Sequence, residues 1–474
     1  MSQRKKIIYL LSILIMILGI IIYPLNVFAA QAKSGSLTLE HKLGQYINSR
    51  MKSEKIPGMS VVVVKDGRVI FQKCFGYADL KSKRKVNGSS LFPLGQNNEA
   101  FTALAILRLE QQKKLSLSDS VSKYLPWLKA SYERKRNNQI TIEELLYHTS
   151  GISNQPEYRL YTEKHTLRKI ADQLGEIRLI NNPGEKYINS PLNYMILEQI
   201  IEKASGQTYK SYMKNEILPG LNLSHTRFAG SFDKQKAVKG YITNFSKLQE
   251  YDIKGIHENI KTEEIYSDIA DMGKWLEANL NGSDMVFNKL HQPDFYSNGK
   301  SGTFRAMGWN SNQDRKNWLL STGALPNYSS FLGINTKDRL GIGMLLNRNT
   351  ADIEPFGTGI INILNNEEPW KSSGDTYQQL DKISVIAIWF SIPLIIIFAF
   401  FLCFSLLQFI GKKRRFTGFS FKSTATLVMS LTFLCGLIVC LDQIYYILIG
   451  PVTKGYIDVW MPKSLVIGMR LFKY

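Results

Sequence analysis

The feature that most limits what this chain can become is a pair of long apolar runs near its C-terminus. Residues 383–410 form the first, and the second begins at 424. Each is long enough to cross ~30 Å of hydrocarbon as a helix. Between them, residues 411–423 open with Gly-Lys-Lys-Arg-Arg at 411–415. A basic loop flanked by two spans belongs on the cytoplasmic side. The N-terminus carries a third apolar run behind the basic start MSQRKK, ending in small residues at Ala29, Ala30 and Ala32. Residues 1–32 therefore read as a signal peptide or an N-terminal membrane anchor. Both readings export the body of the chain, in agreement with the basic loop. The plan expected is an extracytoplasmic domain over 36–366, a polar linker over 367–381 and a transmembrane helix over 383–410. The cytoplasmic loop 411–423, a second transmembrane helix over 424–448 and an extracytoplasmic or interfacial tail over 449–474 complete it.

Within the exported body, strand signals occur at both ends and helix signals fill the middle. Residues 36–54 have helical spacing of apolar positions. MSVVVVKDGRVIFQKCFGYAD then reads as a hairpin turning at Lys65-Asp66-Gly67. Residues 100–112 make a helix apolar enough for a core. In ITIEELLYHTSGI, Thr141 and Glu144 have the spacing of a capping box, and Ser150-Gly151 of a turn. A further helix is expected over 192–204, three antiparallel strands over 317–347 and a closing helix over 352–366. The Lys/Arg-rich stretch 129–138 reads as a solvated loop. One antiparallel sheet built from both ends of the body, flanked by helices and joined to an all-helical lobe, gives the fold class α/β (α+β).

The net charge is +20, from 59 Lys and Arg against 39 Asp and Glu. The excess is spread along the chain, without an arginine-rich arm, an RNA-binding aromatic motif or zinc-finger spacing, so nucleic acid is excluded as a partner. Anionic lipid or a charged cell wall is the expected neighbour. Of four cysteines, Cys403, Cys435 and Cys440 lie in apolar runs, leaving Cys74 alone in the body, so no internal disulfide forms there. The six histidines are scattered, with no metal-ligand spacing. No cofactor and no metal are expected.

An ordered series of segments carries a resemblance. They are PGMSVVVVKDG at 57–67, LFPLGQNNEAFTALAILRLEQQKKLSLSDSVSKYLP at 91–126, ITIEELLYHTSGI at 140–152, PGEKYINSPLNYMILEQIIEKASG at 183–206, and STGALPNYSSFLGI with LGIGMLLNRN at 321–349. In this order and spacing, residues 40–366 resemble the serine β-lactamase-related, penicillin-binding-protein-like family, which includes class C β-lactamases, D,D-peptidases and esterases. The resemblance implies an antiparallel sheet flanked by helices with an all-helical lobe, in agreement with the pattern above.

It also implies three chemical elements, and this chain departs from each. In S-x-x-K a serine attacks an acyl carbon, assisted by a lysine one turn later. Here Gln96 stands at the serine position and Glu99 at the lysine position. An amide is not a nucleophile, and a carboxylate reverses the charge that would favour alkoxide. In Y-x-N the tyrosine assists proton transfer and the asparagine orients substrate; here the positions hold Asn189, Ser190 and Pro191. In K-T-G or H-x-G a cation or imidazole faces the substrate carboxylate; here the strand reads Ser321, Thr322 and Gly323. Ser190 and Ser321 have no base beside them in sequence, Ser150 reads as a turn hydroxyl, and His148 as a structural hydrogen-bonding group. Gln96 and Glu99 read equally as a remodelled binding pocket or as a dead site with solvated polar residues.

The expectation is a membrane-anchored cell-surface pseudoenzyme of a Gram-positive bacterium. Its partners would be the membrane together with a peptidoglycan-derived or antimicrobial peptide, or a membrane protein. The alternative is an active peptidase or esterase of altered mechanism at the wall, with Glu99 activating water.

Overall fold

The structure is a computed structural model that describes residues 38–132, 135–136, 140–153, 177–251, 264–294, 303–312, 317–369, 374–411 and 459–467. The N-terminal run 1–32, the second span at 424–448, almost all of the basic loop and most of the tail lie outside the described residues.

Helix α1 (Leu39–Ser53) begins at Thr38, whose hydroxyl accepts from His41 N, and leads into the hairpin β1 (Gly58–Lys65) and β2 (Arg68–Asp79). Asp66 and Gly67 both have positive φ, 51° and 72°, as a two-residue hairpin turn matched to strand twist requires. β1 is buried at seven of its eight positions, because both sheet faces are covered. Val62 and Val64 join the larger core, and Val61 and Val63 the smaller one. The unbroken valine run follows from this two-sided burial.

β3 (Arg84–Lys85) borders β2, and β4 (Phe92–Pro93) precedes a 3-10 turn, Gly95–Asn97, that leads into α2 (Asn98–Gln111). α2 buries nine residues, including Phe101, which stacks on Trp275 with centroids 3.9 Å apart. The stretch 129–138, expected as a solvated loop, contributes β5 (Ala130–Tyr132) and β6 (Lys135–Arg136). These pair with β7 (Ile177–Arg178) in a small sheet, and Ala130 is in the core. The charged side chains dominate its composition, but the register buries the intervening alanine.

The helical lobe contains α3 (Ile142–Leu146), with the complete Thr141/Glu144 capping box, α4 (Pro191–Ser205) and α5 (Tyr209–Tyr212). β8 (Arg227–Phe228) pairs in a three-stranded sheet with β11 (Ile265–Ser267), which also pairs with β4; β9 (Tyr241–Asn244) and β10 (Lys247–Glu250) form a separate hairpin. Helices α6 (Ile269–Leu280) and α7 (Met285–Leu290) come next, and the chain then returns to the sheet through β12 (Thr303–Ala306), β13 (Trp309–Asn312), β14 (Trp318–Leu325), β15 (Tyr328–Asn335) and β16 (Leu340–Leu346). α6 covers β1 and β16.

The eight-stranded order is β12-β13-β14-β15-β16-β1-β2-β3, with antiparallel neighbours throughout. β16 against β1 joins the two ends of the body. Helix α8 (Ile353–Leu364) packs with α1 over the second face.

The long apolar helix α9 (Thr376–Ile410) begins inside the stretch expected to be a linker. Asp375 and Asp381 are fully buried against the body, so residues 375–381 are a docked helix start. The polar composition that suggested a linker serves hydrogen bonding here. Residues 376–397 are long and apolar enough to cross a membrane.

Candidate functional site

The groove is organised around the head of α2. Gly95 adopts φ 55° with its backbone against Ala324 N, and Ser330 Oγ on β15 donates to Leu94 O at 2.7 Å. Asn97, fully buried, donates through Nδ2 to Ser330 Oγ at 2.7 Å. Gly323 on β14 lies so close that a Cβ would run into Leu94 O and Ser330 Oγ. The helix head and β14 are thus pressed backbone to backbone. Opposed residues share a face. Ser321 pairs with Leu332 and Gly323 with Ser330, so both face α2.

Gln96 turns its amide into this contact: its Oε1 accepts from Ala324 N at 2.6 Å. Glu99, one turn on, is half-buried, and its Oε2 lies 3.4 Å from His148 Nε2. Neither is simply solvated; both hold specific partners. His148 follows α3 with φ 57° and is buried. Its Nδ1 accepts from Ser190 N at 3.4 Å and from Asn193 Nδ2 at 3.0 Å. Asn193 is oriented in turn by Ser150 Oγ, which donates to its Oδ1 at 2.7 Å. With Nδ1 accepting, the hydrogen sits on Nε2 and points to Glu99. A relay from Ser150 through Asn193 and His148 to the carboxylate results.

Ile188 N donates to His148 O at 2.8 Å, and Ser190 Oγ donates to Ser153 O at 3.1 Å. These bonds hold the loop 188–190 beside His148 and leave Asn189 exposed. Pro191 takes the first position of α4, where the lost N–H would have had no helical partner. Ser150 Oγ also accepts from Ile152 N at 3.2 Å, the turn role expected of it.

Tyr187 and Arg305 complete the wall. The Arg305 guanidinium lies 4.3 Å from the Tyr187 ring centroid, and Tyr187 packs edge-on to His148 at 5.7 Å. Burial pushes the Tyr187 phenol above its usual range; Arg305 opposes the shift and Glu99 adds to it. Burial likewise holds Tyr194 well above, with its hydroxyl donating to Leu146 O at 2.9 Å. Sequence reasoning missed Tyr187, Arg305 and Asn193. Arg305 is more than a hundred residues from its partner and lies in no motif, so no local signal marks it.

The structure also gathers His225, Asp268 and Asp271, with ligand-type atoms within 4.8 Å of one another. Their oxygens are engaged in the local network. Asp271 Oδ2 accepts from His225 N, Thr226 N and Thr226 Oγ1, and its Oδ1 from Lys274 Nζ. Asp268 Oδ1 caps α6, and its Oδ2 meets His225 Nδ1 at 2.8 Å. The Lys274 ammonium on Asp271 and the Asp268 cap of α6 fit a capping network.

A buried helix headed at residue 96, a loop at 189–191 and a strand carrying Gly323, converging on one groove beside an antiparallel sheet, define a domain of β-lactamase and penicillin-binding-protein type. The chain belongs to the beta-lactamase family, whose model matches residues 43–358. It is 26% identical over 442 residues to protein flp of Staphylococcus aureus strain MRSA252, covering 89% of this chain and 86% of that one. To the flp protein of strain N315 it is 30% identical over 341 residues, 68% of this chain and 67% of the other. A putative penicillin-binding protein PbpX of Bacillus subtilis is 29% identical over 329 residues, 68% of this chain and 79% of its own. These relatives come from Gram-positive bacteria. Among solved structures, the octameric penicillin-binding protein homologue from Pyrococcus abyssi aligns with TM-score 0.62 and 22% identity over 72% of this chain and 80% of its own. A class C beta-lactamase in complex with cefoxitin aligns with TM-score 0.58 and 19% identity over 69% of this chain and 98% of its own. These last two likenesses concern the fold.

Proposed function

We propose that this protein is a non-acylating, membrane-anchored member of its family that binds a wall-derived or other peptide, or a protein partner, outside the cell. The carrying observation is the 2.6 Å bond from Ala324 N to Gln96 Oε1. A strand N–H facing the head of α2 is the type of donor that would receive an acyl oxygen. Here the protein's own amide oxygen takes it, on the side chain that stands in place of the nucleophile. Glu99 supplies a carboxylate where acyl transfer needs an amine, and Asn189, Pro191 and Ser321 offer neither phenol nor cation. The apolar side chains exposed along α9, Trp389, Phe390, Ile396 and Phe400 among them, support membrane insertion. The basic loop after residue 410 and the N-terminal basic start support an external body.

The test is labelling of the full chain in membranes by a fluorescent penicillin and by a fluorophosphonate. No covalent adduct is expected, and Gln96→Ser with Glu99→Lys alone restores none. A stable acyl adduct on any groove side chain, found by mass spectrometry, overturns the reading. The second reading, a hydrolase using Glu99 to activate water, draws on the Glu99–His148 pair. Ester hydrolysis without an adduct, abolished by Glu99→Gln, would select it.

A further inference from the structure

The β9–β10 hairpin meets α9 at one level of the helix. Asp381, fully buried on α9, accepts from Phe245 N and Ser246 N, the two residues of the hairpin turn. Two residues further, about 3 Å along the axis, α9 begins to present bare apolar side chains, with Ile383 50% and Trp389 71% exposed. The turn is thus level with the point where the helix leaves the body.

This turn is built against local preference. Asn244 pairs with Lys247, so Phe245 and Ser246 form a two-residue loop, and both have positive φ, 48° and 61°. Such loops favour Asn-Gly, and a bulky side chain at positive φ is an outlier. The Asp381 carboxylate holds the strained backbone through both N–H groups. An aromatic ring is left at the tip, with Phe245 39% exposed.

Ammonium groups surround the tip. Lys55 Nζ donates to Ser246 O at 3.0 Å, Lys247 is the next residue of the hairpin, and Lys382 follows Asp381 on the helix. Lys247 and Lys382 are exposed and Lys55 is half-buried. Among the described residues none of the three pairs with a carboxylate. The carboxylates of the adjoining elements are engaged. Asp381 holds the turn and Ser464 Oγ, Glu54 is buried with Arg50, and Glu250, at the far end of β10, pairs with Lys239 at 2.9 Å. The three lysines need not meet at one point. A rim of ammonium groups around an apolar tip suits a layer of head groups, with the ring at the acyl boundary and the lysine charges on phosphates.

We propose that the β9–β10 turn is a second membrane contact, with Phe245 seated among the head groups of the leaflet on the body's side and Lys55, Lys247 and Lys382 on anionic phospholipid. The proposal rests on the reading of α9 as a membrane span. With α9 as the first attachment, the second stops the body from swinging about the helix base and fixes the face it turns to the membrane.

The test is photo-crosslinking of the full chain in lipid nanodiscs, with p-benzoylphenylalanine in place of Phe245 or, separately, of Trp389, and adducts identified by mass spectrometry. The nanodiscs contain either phosphatidylcholine alone or equal parts of phosphatidylcholine and phosphatidylglycerol. Phospholipid adducts are expected at both positions, and the yield at 245 should rise about threefold or more with phosphatidylglycerol. Lys55→Gln, Lys247→Gln and Lys382→Gln together should remove that rise. The same loss of charge at Lys113, Lys114 and Lys203, exposed in the helical lobe, should leave it intact. If the first triple variant has a lowered thermal midpoint, Lys247→Gln with Lys382→Gln, both at exposed positions, must still reduce the rise. An adduct at 389 without one at 245 overturns the proposal and leaves the membrane span standing; no adduct at either position overturns both. A yield at 245 indifferent to phosphatidylglycerol or to these lysines also overturns it.

Discussion

At the scale of single residues, Glu54 and Arg50 show how burial sets chemistry. They form an i, i+4 pair at 2.5 Å near the end of α1, both almost fully buried, with Thr350 Oγ1 donating to Glu54 Oε2 at 2.8 Å. Burial pushes the Glu54 carboxyl from 4.5 up to about 7; Arg50 and the Thr350 hydroxyl oppose it, and Asp375 and Asp352 add to it. The folded protein then holds a proton that the unfolded chain releases between 4.5 and about 7. Stability therefore falls as pH rises through that window and is flat above it. The effect has a ceiling of roughly 3 kcal/mol. Thermal midpoints in neutral detergent should drop by several degrees between about pH 5 and about pH 8. Glu54→Gln, which cannot titrate, should flatten the slope. Parallel slopes would show that another group carries the dependence.

At the scale of elements, the groove depends on how closely α2 and β14 approach. Gly323 lacks the atom that would collide with Leu94 O and Ser330 Oγ, both held by the Asn97–Ser330–Leu94 chain of bonds. Those groups are backbone or tightly bonded and cannot yield cheaply. Gly323→Ala should lower stability by about 1–3 kcal/mol and separate the strand from Gln96. Gly88→Ala, where the added Cβ meets nothing within 4 Å, should be near neutral. Thermal midpoints of the two variants compare them directly. Equal midpoints would mean that β14 can retreat without loss.

At the scale of the whole molecule, α9 is tied to the body by two buried carboxylates. Asp375 pairs with Arg348 at 2.7 Å and accepts from Ala351 N at 2.9 Å. Asp381 accepts from Phe245 N at 2.8 Å, Ser246 N at 2.6 Å and Ser464 Oγ at 2.6 Å. The β9–β10 turn and the segment 459–467 thus clasp the base of the helix. Asp381→Ala strands those donors, at about 1–3 kcal/mol for a buried unsatisfied group. The helix base should fray, and trypsin should cut after the exposed Lys382 faster than in the parent protein. An unchanged cleavage rate would show that apolar contacts alone hold the helix to the body.

Much of the plan is legible in the order of residues. The valine run, the Asp66-Gly67 turn, the Thr141/Glu144 box and the apolar helix read at 100–112, which the structure has at Asn98–Gln111, are local patterns, and local geometry reads them directly. The ordered segments placed Gln96, Glu99 and Gly323 on the elements where the structure has them. What tertiary structure alone decided are contacts across long separations: Gln96 with Ala324, Glu99 with His148, Tyr187 with Arg305, and the docking of residues 375–381. Hydropathy and spacing record which face of an element is apolar. They do not record which distant polar atom meets which. The meaning of an amide or a carboxylate at the head of a helix therefore emerges only when the partner strand and loop close over it.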